Sequence, residues 1–343
     1  MPKMNRICIC GGGSLGHVTA GYIAAKKNYT VDILTRNAGE WVNELTINTP
    51  DGGGFTADIN RISDDAAIVG DANIVLLCLP GYAIKSELQK IAPHIKRGTF
   101  VGSIFSSTGF FFEAMELLPA DVPLWGFQRV PFIARTQEYG HSANILGYKP
   151  SYNVAAIRCS DKEKEKFRRT VEYLFDAPTR MLNSHYEASF TNSNPILHPA
   201  RLYSLFSHWN ENVFYDHQFL FYEEWNDSAS QLLIELDKEF FGILAKLPVT
   251  SDYLPTILDY YESSDAQSLT KKISSIEGFK GIKTPMIETD NGWQPDLSSR
   301  YFQEDFICGL RYIYETGRKL GIATPTIERV YTWGYAMAQK GRG

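Results

Sequence analysis

Short apolar runs rich in β-branched residues alternate with longer amphipathic stretches through the first half of the chain. This alternation predicts β-α-β units that build a parallel, doubly wound sheet with helices on both faces. The runs predicted as strands are Arg6–Cys10, Thr30–Thr35, Asn73–Leu79 and Thr99–Ile104. The stretches predicted as helices between them are Ser14–Lys27 and Tyr82–Ile91.

The segment LTINTPDGGGFTADI, between the second and third of these strands, carries a turn signal in its middle. Glycine supplies the positive φ that tight turns need, so the cluster Asp51–Gly54 predicts a hairpin that adds an edge ribbon to the sheet. Further apolar runs and one charged amphipathic stretch follow. They predict strands at Leu124–Phe127, Ala143–Leu146 and Asn153–Arg158 and a helix at Asp161–Phe175.

The second half of the chain changes to helical periodicity, and β-rich runs nearly vanish. Ser228–Leu247 and Leu310–Leu320 are predicted as amphipathic helices, whereas Thr289–Phe302 is predicted as an irregular loop leading into a helix. A chain of 343 residues is expected to hold two domains of ordinary size. We therefore predict an α/β nucleotide-binding domain over 1–182 and an all-α domain over 183–343.

Composition and charge exclude several classes of protein. The net charge of -5 arises from 34 basic and 39 acidic residues mixed along the chain, without the basic stripe that a nucleic-acid partner requires. The sequence contains neither an apolar run long enough to span a bilayer nor a signal-peptide pattern, so we expect a cytoplasmic protein without a membrane partner. The five cysteines form no CxxC pair and are expected to be reduced core residues rather than metal ligands.

The motif Gly11-x-Gly13-x-x-Gly16 follows a predicted strand and opens a predicted helix. In this context the three glycines permit a tight turn, close approach of a pyrophosphate, and close packing of helix on strand, respectively. The helix N-terminus would then face the phosphates, with Ser14 and Leu15 in its first turn. The motif predicts a dinucleotide site, and a purely structural glycine turn is the alternative.

The end of the second predicted strand reads Thr35-Arg36-Asn37, where many NAD-binding units carry an acid that binds the ribose 2′-hydroxyl. A carboxylate would repel a 2′-phosphate, whereas Thr35 and Asn37 can donate hydrogen bonds and Arg36 can form an ion pair with it. This favours NADP over NAD, although Arg36 stacked on the adenine would suit either nucleotide. We expect Leu79 and Pro80, which end the third strand, to lie beside the cofactor.

One histidine stands in a distinctive setting, TNSNPILHPARL. Asn194 and His198 are four residues apart and would share one face of a helix, with Pro195 in its first turn. Pro199 is expected to disturb the helix just after the histidine. The sequence leaves open whether His198 is catalytic or a structural histidine.

The segment SSRYFQEDF places Arg300, Glu304 and Asp305 near the start of a helix. Arg300 can bind a carboxylate through its two-pronged donor fork. Asp305 can orient His198, because a carboxylate beside a histidine favours the protonated ring that donates a proton. The alternative is a solvated helix with an Arg300–Glu304 pair.

These pieces also carry a family resemblance. CICGGGSLGH, VDILTR, NPILHPA, GFKGIKTP and RYFQEDF, in this order, resemble the octopine/opine dehydrogenase family, and the match runs from about Ile7 to Ala336. The resemblance implies a Rossmann domain followed by a helical domain of the 6-phosphogluconate-dehydrogenase-like type, with catalysis in the cleft between them. Such enzymes join an α-keto acid to the amino group of an amino acid and reduce the resulting imine with NAD(P)H.

The resemblance also implies roles for individual residues. By position, His198 is similar to the family's acid/base histidine, Asp305 to its partner and Arg300 to the binder of the substrate carboxylate, and Asn194 matches a further site position. The chain departs from the family in the loop FSSTGFF, where Ser107 and Thr108 stand near the place of a family glutamine. The keto acid, the amino acid and the oligomeric state, for which a homodimer is one option, stay open.

Two other functions are compatible with the sequence. A keto-acid reductase of the ketopantoate reductase or glycerol-3-phosphate dehydrogenase type would share this architecture, but those relatives use a catalytic lysine for which the chain shows no matching motif. A non-catalytic NADP(H) sensor would also keep the fold. The aromatic stretch Asn212–Trp225 either lines the substrate pocket or belongs to the helical core.

Overall fold

The computed structural model describes residues 5–26 and 28–341. It divides into two compact units, Met1–Ser189 (unit 1) and Phe190–Gly343 (unit 2), so the predicted boundary at 182/183 precedes this division by one short helix. Lys27, the predicted end of the first helix, and the predicted domain ends 1–4 and 342–343 lie outside the described residues.

Unit 1 is an α/β unit whose strands form two sheets. In chain order its strands are β1 (Arg6–Cys10), β2 (Thr30–Leu34), β3 (Glu44–Asn48), β4 (Gly54–Asp58), β5 (Arg61–Ser63), β6 (Ile74–Leu77), β7 (Phe100–Ser103), β8 (Leu124–Phe127), β9 (Phe132–Glu138), β10 (Ser142–Tyr148), β11 (Tyr152–Ile157) and β12 (Thr179–Met181). Its helices are α1 (Ser14–Ala24), α2 (Gly81–Ile91), α3 (Phe110–Leu117), α4 (Asp161–Phe175) and α5 (His185–Ser189).

Within the described part of the chain, the main sheet has eight strands in the order β12-β11-β8-β7-β6-β1-β2-β5. All neighbouring pairs are parallel except β8 and β11. Side chains of β1 alternate between two buried clusters: Ile7 and Ile9 enter one, and Cys8 and Cys10 enter the other. Because both faces of the sheet are covered, its central strands are apolar throughout. The predicted doubly wound fold is confirmed.

The predicted hairpin forms, but the edge ribbon was the wrong place for it. β3 and β4 pair antiparallel, as expected from the glycine turn, and β3 then pairs in parallel with β10. The result is a separate four-stranded sheet, β4-β3-β10-β9, whereas β5 extends the main sheet beyond β2. The sequence pattern fixed the hairpin locally, but the partner of β3 lies almost a hundred residues away.

Unit 2 is mainly helical. Its elements are α6 (Asn194–Phe206), α7 (Asp227–Leu244), α8 (Ile257–Tyr260), α9 (Ala266–Ser275), β13 (Met286–Thr289), β14 (Gly292–Pro295), a π-helical stretch (Tyr301–Leu310), α10 (Arg311–Lys319) and α11 (Pro325–Lys340). Two local predictions were wrong. The segment Thr289–Phe302 begins with an antiparallel hairpin rather than a loop, since an Asn-Gly pair with Gly292 at φ +120° favours a tight turn. α6 continues through Pro199, because it packs against α7 and the π-helical stretch on either side of the missing hydrogen bond.

No described helix combines the length and the apolar character needed to cross a membrane.

Candidate active site

Three glycines shape the turn between β1 and α1, each for a different reason. Gly11 has φ +125°, and a Cβ atom there would lie 2.6 Å from the carbonyl oxygen of Cys78. A Cβ on Gly16 would lie 1.9 Å from the oxygen of Gly11, so α1 can approach the strand only with glycine at this position. A Cβ on Gly13 would meet no atom within 4 Å. Gly11 and Gly16 are therefore required by packing, whereas Gly13 faces open space.

The N-terminus of α1 has no capping side chain. Gly13 is the N-cap residue, and its first-turn N–H groups are free of side-chain acceptors. The Ser14 hydroxyl turns away to Thr136, at 3.1 Å from its Oγ1 and 2.9 Å from its backbone nitrogen. Leu15 packs against the core. An uncapped helix start beside a glycine loop is a ready-made anion site, because its N–H groups point at the space in front of it.

A cavity of ≈ 690 Å³ opens in unit 1 beside this loop. Seven of the predicted cofactor residues line it: Gly11, Gly13, Thr35, Arg36, Asn37, Leu79 and Pro80. The other lining residues among those described are Gly12, Leu34, Asp64, Ala66, Cys78, Tyr82, Ala83, Ser86, Glu87, Lys90 and Tyr139. Ser14, Leu15 and Gly16 form the first turn of α1 at its edge. The size and the mixed lining suit a nucleotide.

Thr35 is buried, and its hydroxyl lies 3.2 Å from that of Tyr139. A Cβ on Gly12 would collide with both side chains, at 2.4 Å from Thr35 Oγ1 and 2.6 Å from the Tyr139 hydroxyl oxygen. Tyr139 therefore fixes the glycine loop and the end of β2 together. Sequence reasoning missed Tyr139, since it follows a strand more than a hundred residues downstream of the loop.

Arg36 is exposed in the cavity, next to Asn37. The nearest acid on the same strand, Asp32, is fully buried and bound by the guanidinium groups of Arg6 and Arg61, at 3.1 and 2.7 Å. Burial raises the pKa of Glu87, another lining residue, and the positive charges of Lys90 and Arg36 oppose that rise. The strand that carries Arg36 thus presents no free carboxylate to this end of the cavity.

In unit 2, α6 and the π-helical stretch bring two predicted residues together. His198 Nδ1 lies 2.7 Å from Asp305 Oδ2, and His198 is 7% exposed. The π-helical form is uncommon in proteins and recurs at functional sites. A buried carboxylate at this distance fixes the orientation of the ring and holds a proton on Nδ1. The predicted His198–Asp305 pair is therefore present in the structure.

Two tyrosines near His198 were not predicted individually. The Tyr222 hydroxyl lies 3.0 Å from His198 Nε2, and the ring centre of Tyr301 lies 4.5 Å from that of the imidazole. Tyr222 belongs to the aromatic stretch whose role the sequence left open between pocket and core. Its contact with His198 places that part of the stretch at the site.

The other predicted residues of unit 2 have different surroundings. The Arg300 side chain is 78% exposed, and its Nη2 lies 3.6 Å from Glu304 Oε2, which is the surface pair that the sequence also allowed. Asn194 begins α6, one turn before His198, and its backbone N–H donates to Asn192 Oδ1 at 3.2 Å.

The two residues that stand near the place of the family glutamine lie in unit 1. The Thr108 hydroxyl donates to the Phe105 carbonyl at 2.9 Å, whereas the Ser107 hydroxyl is buried without a hydrogen-bond partner among the described residues. Of the two, Ser107 is the one with a donor left for a ligand.

Two family models match the chain. Residues 181–338 match the model described as NAD/NADP octopine/nopaline dehydrogenase, alpha-helical domain, and residues 7–106 match the model described as ketopantoate reductase PanE/ApbA. The octopine dehydrogenase of Mizuhopecten yessoensis is 25% identical to this chain, over 96% of the chain and 88% of that protein. The chain belongs to the octopine/opine dehydrogenase family. Like other opine dehydrogenases, it is an NAD(P)-dependent oxidoreductase that joins an α-keto acid to an amino acid by reduction.

Solved structures of opine dehydrogenases share this fold. An octopine dehydrogenase in complex with NADH and L-arginine superposes with a TM-score of 0.79 at 23% identity, covering 97% of this chain and 89% of that one. A yersinopine dehydrogenase with NADP+ bound has a TM-score of 0.72 at 16% identity, covering 99% and 92%. Relatives of this opine dehydrogenase thus bind either nicotinamide nucleotide.

Proposed function

We propose that this chain reduces the imine of an α-keto acid and an amino acid with NADPH, and that His198 supplies the proton. The observation that carries the proposal is the buried 2.7 Å contact between His198 Nδ1 and Asp305. A proton held on Nδ1 by a carboxylate leaves Nε2 as the atom that exchanges protons with a substrate.

Unit 1 fits the cofactor. The uncapped start of α1 and the open space at Gly13 suit a pyrophosphate, so the N–H groups of Ser14, Leu15 and Gly16 would bind it. Thr35, Arg36 and Asn37 would hold the adenosine ribose, and Leu79 and Pro80 would lie beside the bound nucleotide. The nucleotide supplies a hydride to the substrate carbon.

Unit 2 would bind and protonate the substrate. Protonated His198 polarises the keto-acid oxygen, helps it to leave as water and protonates the nitrogen that receives no hydride. Asp305 keeps the ring oriented throughout. Arg300 would exchange its exposed Glu304 partner for the keto-acid carboxylate, which offers two acceptors to its fork. Asn194 would contribute a polar group one helical turn from His198.

The preference for NADP over NAD rests on Arg36. It lies in the cavity at the end of β2, where the only acid of the strand, Asp32, is bound by two arginines. In Arg36→Ala we expect the Kd for NADPH to rise about 10-fold or more, as for the loss of a charge-assisted contact, with little change for NADH. Lys90→Ala removes another lining cation as the control. An equal loss for both nucleotides in Arg36→Ala would instead favour stacking of Arg36 on the adenine.

The first experiment follows the absorbance of NADPH and NADH in parallel with pooled α-keto acids, with and without pooled amino acids. We expect oxidation only when both pools are present. Oxidation with keto acids alone would favour a keto-acid reductase, the alternative to which the match of residues 7–106 to the ketopantoate reductase model gives support. Binding of nucleotide without oxidation under any condition would favour a sensor.

The predicted homodimer can be tested on the same preparation by light scattering after size-exclusion chromatography. A molar mass near twice 38.7 kDa would support it.

A further inference from the structure

Both ring nitrogens of His198 have protein partners. Nδ1 faces Asp305 at 2.7 Å, and Nε2 faces the hydroxyl of Tyr222 at 3.0 Å. Tyr222 is 6% exposed, so the contact on the Nε2 side is as buried as the histidine itself. Any proton that leaves Nε2 in this arrangement meets the Tyr222 oxygen first.

The faces of the imidazole are covered as well. The Tyr301 ring lies at 4.5 Å and is tilted by 56°, and the Phe221 ring approaches at 5.4 Å and is nearly perpendicular. These contacts restrict the imidazole to its present plane. The Tyr222 hydroxyl is then the described polar group that continues the line from Asp305 through the ring.

The backbone next to Tyr222 is fixed from two directions. The Phe221 N–H donates to the Ile282 carbonyl at 2.7 Å, inside the motif GFKGIKTP. From the other side the guanidinium of Arg201, one helical turn after His198, donates through Nε to the Phe221 carbonyl at 2.9 Å. Arg201 is 1% exposed and is not paired with a carboxylate in any ion pair of the described residues. Burial of a cation is costly, so its use on this backbone indicates that the position of the segment matters.

The ring of Tyr222 is held by stacking. It lies 4.1 Å from the ring of Phe279, which belongs to the same motif, at an interplanar angle of 19°. Burial also raises the pKa of Tyr222, so its hydroxyl stays protonated at neutral pH. A neutral hydroxyl can donate one hydrogen bond and accept another at the same time.

We propose that Tyr222 relays the proton of His198 to the substrate. This inference rests on the proposed function. The Tyr222 O–H bond breaks as its proton passes to the substrate oxygen or nitrogen, and a new O–H bond forms with the proton released from Nε2. Tyr222 ends neutral, His198 ends neutral with its remaining proton on Nδ1, and solvent returns one proton to the ring. The two electrons of the reduction come with the hydride of NADPH.

The test replaces the hydroxyl alone. Tyr222→Phe keeps the ring that stacks on Phe279 and removes the relay oxygen. We expect kcat to fall about 10- to 100-fold, part of the range for general acid catalysis, while the Kd for NADPH stays unchanged. The kinetic solvent isotope effect should respond to the mole fraction of D₂O as two moving protons in the wild type and as one in the variant. Tyr261→Phe, at another buried tyrosine of unit 2, is the matched control and should keep both readouts.

A second readout needs no turnover. In protein labelled with ¹⁵N-histidine, loss of the hydroxyl should shift the Nε2 resonance of His198 and leave Nδ1 nearly unchanged. An unshifted Nε2 resonance would overturn the relay, as would an unchanged or higher kcat, which would mean that substrate displaces Tyr222. A lower kcat with an unchanged two-proton isotope response would assign Tyr222 a purely structural role.

The two hypotheses fail separately. The dependence of wild-type NADPH oxidation on both substrate pools tests the proposed function. The ratio of Tyr222→Phe to wild type, in whichever reduction the wild type catalyses, tests the relay, and the ¹⁵N measurement decides it without a substrate.

Discussion

At the scale of single residues, the glycine loop separates two demands that a motif merges. Gly12 is enclosed by Thr35 and Tyr139, whereas the next residue, Gly13, borders free volume. The dinucleotide motif marks Gly13 but not Gly12, because the motif describes what the ligand needs. The requirement at Gly12 comes from Tyr139, which the chain brings to the loop from a distant strand.

This difference predicts opposite outcomes for two adjacent substitutions. Gly13→Ala should leave the thermal midpoint nearly unchanged and raise the Kd for NADPH at least about 10-fold, since its methyl group would occupy the pyrophosphate space. Gly12→Ala should instead lower the free energy of unfolding by about 1–3 kcal/mol, as overpacking does. Thermal unfolding and nucleotide titration of both variants check the prediction, and a destabilised Gly13→Ala protein would contradict it.

His198 provides a second prediction at this scale. His198→Ala should lower kcat by about 10²–10⁴, the usual worth of a general acid, with the Kd for NADPH preserved because the cofactor cavity is in unit 1. His208→Ala, an exposed histidine just beyond the end of α6, is the control and should retain full turnover. Unchanged turnover in His198→Ala would remove it from the mechanism.

At the scale of elements, local signals predicted the fold well wherever the partner of an element is near in sequence. β1, β8 and α4 have the predicted bounds, and the latter begins with a capping box formed by Ser160 and Glu163. The sheet partner of β3 and the form of the segment around Asp305 depend on distant contacts, so apolar periodicity could not decide them. The sequence identified His198 and Asp305 as chemistry, but Tyr222 and Tyr139 were recognisable only as apolar aromatics.

α7 and α8 are joined by a carboxyl group with an unusual pKa. Asp237 of α7 is buried and accepts from the Ile257 N–H, which begins α8, at 3.0 Å. Burial raises the pKa of Asp237 to about 6. The folded protein therefore holds a proton there that the unfolded chain has already lost, and unfolding becomes easier as the pH rises from about 4 to about 6.

Asp237→Asn should remove this dependence while keeping an acceptor for the Ile257 N–H. We expect a difference of up to about 3 kcal/mol between wild type and variant to develop over that interval, favouring the variant at neutral pH. Denaturant unfolding at several pH values measures it. Parallel curves for the two proteins would show that Asp237 ionises normally.

At the scale of the whole molecule, the two units respond to pH in opposite directions. In unit 1 burial lowers the pKa of His185 to about 4, and its Nε2 has no partner among the described atoms. Burial also lowers the pKa of His17, whose Nε2 accepts from the Gly140 N–H at 2.7 Å. Both rings are neutral in the fold, so below about pH 6.5 the unfolded chain gains protons first and unit 1 loses stability. Unit 2 gains stability over part of the same range through Asp237.

Calorimetry should therefore resolve two transitions whose separation changes with pH. Between pH 7.5 and pH 5, the transition of unit 1 should move down and that of unit 2 up, and NADPH should raise the transition of unit 1, which holds its cavity. His185→Phe, which keeps a ring beside Phe111 and Tyr186, should reduce the shift of unit 1. Two transitions that move together would contradict the assignment of these groups.

The π-helical stretch Tyr301–Leu310 has a consequence for how the family can vary. A π turn holds about one residue more than an α turn, so deletion of one residue after Asp305 would convert the stretch toward α geometry. Such a deletion would rotate everything downstream by roughly 100° relative to Asp305. α10 and α11 follow directly, and α11 packs against this stretch. The segment thus acts as a phase marker: length changes here are coupled to the register of the whole C-terminal helical layer, whereas the hairpin loop before it can lengthen freely.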